Sequence, residues 1–431
     1  MCVHVFGNTP SPAVATYCLR QAVQNSDKTG NSDVKGFVTD IFYVDDGLIS
    51  LPTDEEAIDL MQRTQTTLKT EGNIRLHKIT SNSTQVKRAF PNEDLGKDMK
   101  SLSVGQDVLP IQRSLGISWD LNTDDFIFEV QPPAKPYTKR GLQSTINGIF
   151  DPMGFAAPFT LKGKLLLRDA TPVGTDWDEL LSPHLQEKWE DWRLSIASLC
   201  DLRIPRMYDS QSLSLCTNLR LVIFSDASEN AVAAVAYLRF VNDDGSIRYG
   251  FVMGKSKIAP SKGNTIPRLE LCGAVLAVEL GETLSEHLSI EMGNIQYFTD
   301  SKVVLGYIRN ETRRFYTYVS NRVDRIRNKS SPTQWNFVLT TKNPADCGTR
   351  ANMNAKDLPQ SMWLSGPNWP RNKPESDIRT KDSFPLVEPQ NDREIRPDIT
   401  VRKTTITTSK DLGTRSRDSR VGGDWLKPSH H

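Results

Sequence analysis

The chain has 431 residues, of which 37% are hydrophobic and 24% are charged, and its formal net charge is +1. This length exceeds one ordinary domain and the apolar content is sufficient for packed cores, so we expect two or three domains and exclude global disorder. The near-zero charge excludes a uniformly basic protein, but not a basic groove balanced by acidic metal ligands.

The positions of the cysteines and the lengths of the apolar runs argue against further classes of protein. The six cysteines are scattered, with no CxxC pair and no cysteine–histidine cluster, which argues against a zinc finger or a disulfide scaffold and fits a reducing compartment. We find no signal peptide and no apolar run that could span a bilayer. We therefore expect an intracellular protein, cytoplasmic or nuclear, with no membrane partner. The sequence after Met1 is typical of the middle of a fold, which indicates a truncated start.

The first elements in chain order are predicted to be a hairpin and a helix. Residues 34–51 form two apolar runs that meet at Asp45-Asp46-Gly47, and Asp-Gly between β-rich runs is a hairpin signal. Thr53 precedes acidic residues and apolar positions at helical spacing, which predicts a capped amphipathic helix. Strand-like segments follow around 74–80, 86–90 and 114–130.

The pattern is helical from about 138 to 206, with Trp177, Trp189, Trp192 and Leu199 as expected apolar anchors. An α/β pattern begins near Asn218. It comprises three apolar strands, a helix over 267–289, the strand IQYFTD, the helix SKVVLGYIRN and the strand QWNFVLT. This β-β-β-α-β-α-β order predicts an α/β domain. After about residue 370 no apolar period remains, and residues 401–431 are predicted to be a disordered basic tail.

Four acids lie in or next to apolar elements, where an unpaired carboxylate is energetically costly to bury. Asp226 lies in the strand LVIFSDAS, Glu270 in the first turn of the long helix, Asp300 at the end of IQYFTD, and Asp346 in Asn-Pro-Ala-Asp. Each alone is explained by a helix cap, a turn or a first-turn acid. Acids that converge at strand ends become reasonable when they share divalent cations.

This order of acids resembles that of ribonuclease H domains. The surrounding amino-acid sequence resembles the polyprotein of BEL/Pao long-terminal-repeat retrotransposons. The segments that carry the resemblance are FSDAS (224–228), residues 255–280, FTDSKVVLGYI (298–308), NPADCGTR (343–350), residues 139–170 and MWLSGPNWP (362–370). The resemblance implies hydrolysis of the RNA strand in RNA·DNA hybrids with two Mg²⁺ ions, or Mn²⁺ in their place. It also implies that Asp226, Glu270, Asp300 and Asp346 are catalytic metal ligands, with Asp226 shared by both ions. Some relatives have a mobile His between the last two acids, and this sequence has none there.

A second resemblance is found near the start of the chain. The segment Phe42-Tyr43-Val44-Asp45-Asp46 is similar to the polymerase signature of reverse transcriptases. FGNTPSP (6–12), LHKITSNS (76–83) and SLGISWD (114–120) resemble neighbouring motifs of that family. The resemblance implies that Asp45 and Asp46 are metal ligands and that Lys78 protonates the leaving pyrophosphate. The third carboxylate would precede Met1, so we expect that the chain as given does not polymerise DNA. A simple Asp-Gly turn is the alternative explanation.

The expected fold is α+β and multidomain. It comprises a partial reverse-transcriptase palm and thumb (1–135), a helical connection (136–215), a ribonuclease H-like α/β domain with a mixed sheet (216–352) and an extended or disordered basic tail (353–431). The expected partners are an RNA·DNA hybrid, template RNA, primer DNA and other parts of the retrotransposon polyprotein. Side chains such as Arg268, Lys302, Arg313, Arg314 and Tyr316 could line a hybrid groove, or be ordinary solvated surface.

Three rival interpretations stay open. A Pao-type aspartic peptidase would need Asp-Thr-Gly or Asp-Ser-Gly, whereas Asp226-Ala227-Ser228 and Asp300-Ser301-Lys302 lack the glycine. An integrase core places its Glu last, whereas Glu270 comes between the first two Asp. The third is a decayed, non-catalytic element that binds nucleic acid or is inert, and the presence of all four acids argues against it.

Overall fold

The computed structural model describes residues 9–24, 31–96, 111–114, 117–132, 134–171, 176–208, 216–242, 245–260, 265–367 and 384–400. The α-helices are α1 (Ser11–Ala22), α2 (Ser32–Gly36), α3 (Asp54–Gly72), α4 (Thr84–Arg88), α5 (Lys139–Asn147), α6 (Ala157–Asp169), α7 (Pro183–Ser195), α8 (Ile266–Leu288), α9 (Lys302–Arg309), α10 (Thr317–Lys329) and α11 (Met362–Ser365). The strands are β1 (Phe42–Tyr43), β2 (Asp46–Gly47), β3 (Ile111–Ser114), β4 (Ile117–Asp120), β5 (Asp125–Ile127), β6 (Arg203–Pro205), β7 (Cys216–Ala227), β8 (Ala231–Asn242), β9 (Ile247–Ile258), β10 (Ile295–Thr299), β11 (Arg313–Phe315), β12 (Trp335–Phe337) and β13 (Ile395–Thr400). Among the helices so described, none has the length and apolar character needed to cross a bilayer.

The N-terminal segment combines one correct prediction with two corrections. Helix α3 begins as expected, because the Thr53 side chain accepts the backbone N–H of Glu56 at 3.2 Å. The predicted hairpin is confined to the β1–β2 pair, and residues 32–41 before it are helical. The strand expected at 86–90 is wrong, because α4 occupies 84–88. The Ser83 hydroxyl accepts two backbone N–H groups there, and this cap favours a helical turn.

The middle of the chain forms an antiparallel sheet of order β3-β4-β5-β6, covered by helices. Strand β6 returns after α7 to pair with β5, with Phe126 opposite Ile204. The sheet therefore joins residues from both sides of the expected boundary at 135. Trp189 and Trp192 are fully buried in the adjoining core, as expected for anchors. Trp177 is 41% exposed, so its assignment as an anchor was wrong.

A five-stranded mixed sheet of order β12-β10-β7-β8-β9 confirms the predicted mixed sheet. Strands β12, β10 and β7 are parallel, and β8 is antiparallel to both β7 and β9. Helices α8, α9 and α10 cover one face. The predicted order of elements lacked α10, although Val319, Val323 and Ile326 recur on one side of that helix and are buried.

The other face of this sheet is covered by residues that the sequence analysis assigned to the tail. Trp363 of α11 is fully buried against Phe224 and Tyr237, whose hydroxyl donates to the Trp363 carbonyl at 2.7 Å. Further on, β13 pairs with β11, and Glu394 is buried. Residues 353–367 and 384–400, which were expected to belong to an extended or disordered tail, therefore contribute buried side chains to the fold. Their apolar side chains complete a core that the sheet alone would leave open. Residues 401–431 lie outside the described residues.

Two glycines allow the segment before α6 to dock directly on the mixed sheet. Gly154 has a φ of 76°, a left-handed conformation that favours glycine, and the Met153 carbonyl accepts the Gly254 N–H at 2.8 Å. A Cβ on Gly154 would lie 1.8 Å from the Gly254 carbonyl oxygen. The Trp363 indole N–H donates to the Gly154 carbonyl at 2.9 Å, which fastens the contact.

Candidate active site

Two of the four predicted acids lie side by side at the carboxyl edge of the mixed sheet. Strands β7 and β10 are parallel, and Ser225 is opposite Thr299. Asp226 and Asp300 directly follow these two residues, so they reach the same level of the sheet. Asp226 is 9% exposed, whereas Asp300 is half-buried. Ordinary sheet pairing therefore brings together two carboxylates that are 74 positions apart.

Helix α8 carries Glu270 to this edge because it crosses very close to β7. A Cβ on Gly273 would lie 2.8 Å from the backbone oxygen of Asp226, so only glycine leaves room for this approach. Glu270 is one turn earlier on the same helix. Its Oε2 accepts the Ser301 hydroxyl at 2.6 Å, and Ser301 follows Asp300 directly.

Asp346 reaches the site on the short 3₁₀ helix Pro344–Gly348, which a buried amide anchors. Asn343 Nδ2 donates to the Ser225 carbonyl at 3.0 Å, and Asn343 Oδ1 accepts the Ala345 N–H at 3.2 Å. Asn343 is fully buried. This amide ties the turn before Asp346 to the strand that carries Asp226.

Burial raises the pKa of Asp226 to about 7. The Thr349 hydroxyl, which donates to Asp226 Oδ2, opposes this effect because it stabilises the charged form. The negative charges of Asp300 and Asp346 also contribute to this raised pKa. Asp226 is therefore a desolvated carboxylate within the electrostatic range of two other acids.

The pKa values of Glu270 and Asp346 are also raised, mainly by burial. The Ser301 hydroxyl lowers the pKa of Glu270, and the Arg350 guanidinium lowers that of Asp346. Asp300 acts on both in the opposite direction. The charge of Asp300 therefore contributes to the raised pKa of each of the other three predicted acids.

The four predicted acids do not form a closed set of metal ligands. Across the described residues, no three His, Cys, Asp or Glu side chains form a group that could hold an ion. Three of the four carboxylates instead accept from a nearby donor, namely Thr349, Ser301 or Arg350. The donor set itself consists of carboxylate oxygens, which are the ligands that Mg²⁺ prefers.

Four further residues position the acids and were not predicted from the sequence, namely Gly273, Ser301, Asn343 and Thr349. Asn343-Pro344 is a recognisable turn signal, so Asn343 could have been found. Gly273 looks like an ordinary helix residue, and the contacts of Ser301 and Thr349 span 31 and 123 positions. No local pattern indicates those contacts.

Arg268 is engaged elsewhere in the fold. Its Nε and one terminal nitrogen donate to the two carboxylate oxygens of the buried Glu394 at 2.6 and 3.0 Å. Its guanidinium also lies 4.7 Å from the ring centre of Tyr318. Through these contacts Arg268 holds the segment around Glu394 against helix α8.

The polymerase-like residues lie on a separate part of the chain. Asp45 and Asp46 are exposed at the β1–β2 turn, where Val44 has a φ of 60°, which a β-branched residue rarely adopts. Lys78 is exposed and has a φ of 63°. Phe42 and Leu76 both pack against the same apolar cluster. Residues 6–8 and 115–116 of the neighbouring motifs lie outside the described residues.

Comparison with known proteins gives one family match and several structural likenesses. Residues 138–301 match the family model of the Pao retrotransposon-like RNaseH-like domain. No curated protein matches the chain. A foamy viral protease-reverse transcriptase in complex with an RNA/DNA hybrid has a TM-score of 0.43 at 14% identity and covers 78% of this chain. The present chain spans 38% of that foamy viral chain.

Two further solved structures are similar at a comparable level of identity. The foamy viral protease-reverse transcriptase in complex with dsDNA has a TM-score of 0.39 at 15% identity, covering 78% of this chain and 59% of its own. RNase H1 from Halobacterium salinarum NRC-1 has a TM-score of 0.21 at 16% identity, covering 30% of this chain and 89% of its own. The family match includes Asp226, Glu270 and Asp300, and it agrees with the BEL/Pao resemblance of the sequence. Residues 138–301 are therefore similar to the Pao retrotransposon-like RNaseH-like domain.

Proposed function

We propose that this chain hydrolyses the RNA strand of RNA·DNA hybrids in a Mg²⁺-dependent reaction at Asp226, Glu270, Asp300 and Asp346. The observation that carries the proposal is that β7, β10, α8 and the turn at Asn343 bring these four acids to one edge of the mixed sheet. The match of residues 138–301 to an RNase H-like family supports the same reaction class.

The residues fit a divalent cation by their chemistry. All four donors are carboxylates, and burial together with the charge of neighbouring acids disfavours the charged forms of Asp226, Glu270 and Asp346. A bound cation would offset that penalty. Without it, Thr349, Ser301 and Arg350 donate hydrogen bonds to three of the four carboxylates. The chemistry supplied by two Mg²⁺ ions is activation of the attacking water and stabilisation of the leaving oxygen. Asp226, the most buried of the four, is the proposed shared ligand.

A hybrid-cleavage assay tests the proposal, with labelled RNA paired to DNA as substrate. Asp226→Asn and Glu270→Gln should each reduce cleavage by at least about 100-fold, because loss of a ligand exceeds the usual cost of losing a supporting group. Glu286→Gln is the matched control, since Glu286 is exposed on the same helix as Glu270. Cleavage that survives both substitutions would refute the assignment.

A second readout does not depend on turnover. Mg²⁺ should raise the melting temperature of the wild-type chain, because a cation that binds only the folded state stabilises it. Asp226→Asn should abolish this rise and Glu286→Gln should keep it. An equal rise in all three proteins would mean that Mg²⁺ binds elsewhere.

We further propose that Asp45, Asp46 and Lys78 are residues of a polymerase-type site. The exposed position of both acids at the tip of a tight hairpin favours this role over a purely structural turn. Two adjacent carboxylates do not by themselves assemble the usual pair of metal ions. Primer extension on an RNA template should therefore be undetectable with the purified chain, and robust extension that Asp45→Asn abolishes would contradict this expectation.

A further inference from the structure

Residues 384–400, which we call the strap, cross the helices that cover one face of the mixed sheet. Ile395 of the strap is buried in the same core as those helices. The Tyr307 hydroxyl of α9 donates to Asp392 Oδ2 of the strap at 2.6 Å. The strap lies beyond the family match of residues 138–301 in the chain, yet it contacts the helix α8 that this match includes. A segment outside the match thus completes the surroundings of that helix.

The contact with α8 is an ion pair between Glu394 of the strap and Arg268. The Glu394 side chain is 8% exposed, and both of its carboxylate oxygens accept from the Arg268 guanidinium. Glu394 is also held by its own backbone, because its carbonyl accepts the Tyr316 N–H at 2.9 Å and its N–H donates to Asp392 Oδ1 at 2.9 Å. The carboxylate is therefore fixed from the side of the strap, so it can hold Arg268 in place.

The first turn of α8 depends on this ion pair because it lacks a side-chain cap. Within the described residues, the Thr265 side chain at the start of the helix accepts no capping hydrogen bond, and uncapped helix ends fray readily. Residues two positions apart on a helix point about 200° apart. Arg268 accordingly reaches the strap on one side, while Glu270 reaches Ser301 on the other. The ion pair thus restrains the turn that carries Glu270.

Tyr307 gives a second indication that the strap lies near Glu270. Burial is the main cause of the raised pKa of Tyr307, and its hydrogen bond to Asp392 contributes. The charges of Glu394 and Glu270 act in the same direction. Both carboxylates are therefore within electrostatic range of this one hydroxyl.

We propose that Glu394 is a positioning residue for Glu270, and that it acts through Arg268 by holding the first turn of α8 at the carboxyl edge of the mixed sheet. The inference rests on the proposed function, in which Glu270 is a Mg²⁺ ligand. Two restraints then define the place of the Glu270 carboxylate, namely the Ser301 hydroxyl on one side and the Glu394–Arg268 pair on the other. A ligand on a restrained turn binds a cation more tightly than one on a fraying turn, because less ordering is needed on binding.

Binding of Mn²⁺, measured from the electron paramagnetic resonance signal of the free ion, tests the inference without turnover. Glu394→Gln should weaken Mn²⁺ binding by about 10-fold, which is the lower end of the range typical for loss of a group that supports a metal ligand. Glu388→Gln makes the same change at an exposed position of the strap and should keep the wild-type affinity. A residue with a purely structural role would lower the urea midpoint but leave the Mn²⁺ affinity of the folded chain unchanged.

A double-variant cycle tests whether Glu394 acts through Arg268. Arg268→Met should weaken Mn²⁺ binding about as much as Glu394→Gln, and the double variant should lose no more than either, because the same contact is lost in all three. Arg268→Lys keeps the charge but loses the two-pronged contact, so it should show part of the loss, and it replaces the methionine variant if that variant does not fold. Hydrogen–deuterium exchange in the first turn of α8 should be faster in Glu394→Gln than in Glu388→Gln.

Wild-type Mn²⁺ affinity or unchanged exchange in Glu394→Gln would overturn the inference, and so would additive losses in the double variant. Glu270→Gln separates this inference from the proposed function. If Glu270→Gln weakens Mn²⁺ binding while Glu394→Gln does not, the positioning role is overturned and the proposed function stands. If neither variant weakens binding, the proposed function is refuted and the positioning role falls with it.

Discussion

The Thr349 hydroxyl donates a hydrogen bond to Oδ2 of Asp226 at 2.5 Å, which joins two residues 123 positions apart. Thr349 is almost fully buried, and its hydroxyl also lies 3.1 Å from the Asp346 carbonyl oxygen. This hydroxyl stabilises the charged form of Asp226, whose pKa burial raises to about 7. Thr349 thus controls how readily the carboxylate becomes available to a cation.

Thr349→Val should therefore raise the pKa of Asp226 above about 7, because the charged form loses its donor. A cation binds the charged carboxylate, so the pH midpoint of the Mg²⁺-induced rise in melting temperature should move upward. Thr349→Ser keeps a hydroxyl and should keep the wild-type midpoint. An unchanged midpoint in the valine variant would show that the hydroxyl does not act on Asp226.

Gly273→Ala should separate helix α8 from strand β7. The added Cβ would lie 2.8 Å from the Asp226 carbonyl oxygen, so the helix must shift. We expect a loss of about 1–3 kcal/mol from overpacking, reduced by about 1 kcal/mol because alanine favours the helix. Glu270 moves with the helix, so hybrid cleavage should fall more than stability does.

Urea denaturation and the cleavage assay measure these two effects of Gly273→Ala. Gly293→Ala is the control, because a Cβ at Gly293 meets nothing within 4 Å. Full cleavage by Gly273→Ala at wild-type stability would mean that the close approach of helix and strand is unnecessary.

Trp363→Ala should destabilise the fold by about 3–5 kcal/mol, which is typical for loss of a buried tryptophan. Trp363 is fully buried, and its indole N–H holds the Gly154 carbonyl that docks the segment before α6 on the sheet. Trp177→Ala, at a 41% exposed position, should cost far less. Similar urea midpoints for the two variants would show that residues after 353 are not part of the core.

Asp151 should make stability depend on pH. Burial raises its pKa to about 6 from an ordinary value of 3.8, so the folded chain binds this proton more tightly than the unfolded chain. Its contribution to the free energy of unfolding is full below about pH 4 and is lost as the pH rises through 6. The total change is up to about 3 kcal/mol, since a tenfold shift in proton affinity is worth about 1.4 kcal/mol.

Asp151→Asn should flatten the pH profile of the unfolding free energy between pH 4 and 6, because asparagine does not titrate. The profile is measured by urea denaturation at a series of pH values without divalent cations. The exposed Asp191 on α7 provides the control, and Asp191→Asn should keep the wild-type slope. A variant profile as steep as that of wild type would assign the pH dependence to other groups.

Much of the part of the chain that forms the mixed sheet could be predicted from local patterns. The apolar runs of β7, β8 and β10 and the helical spacing of α8 and α9 depend only on neighbouring residues, so period and turn chemistry suffice. The four acids stood out because each follows or enters such an element. Helix α10, the strand expected at 86–90 and the tail after 353 were misjudged, because their state depends on a cap or on a core supplied by distant residues.

The sequence by itself therefore determined which elements of the mixed sheet form and which acids stand at their ends, because periodicity, capping and spacing act within a few residues. Only the tertiary structure decided that Thr349, Ser301 and Arg350 donate hydrogen bonds to three of those carboxylates. It also decided that Gly273 lets the helix of Glu270 approach Asp226 closely, and that Trp363 covers the second face of the sheet. Those contacts depend on burial and register between segments far apart in the chain, and no local pattern encodes them.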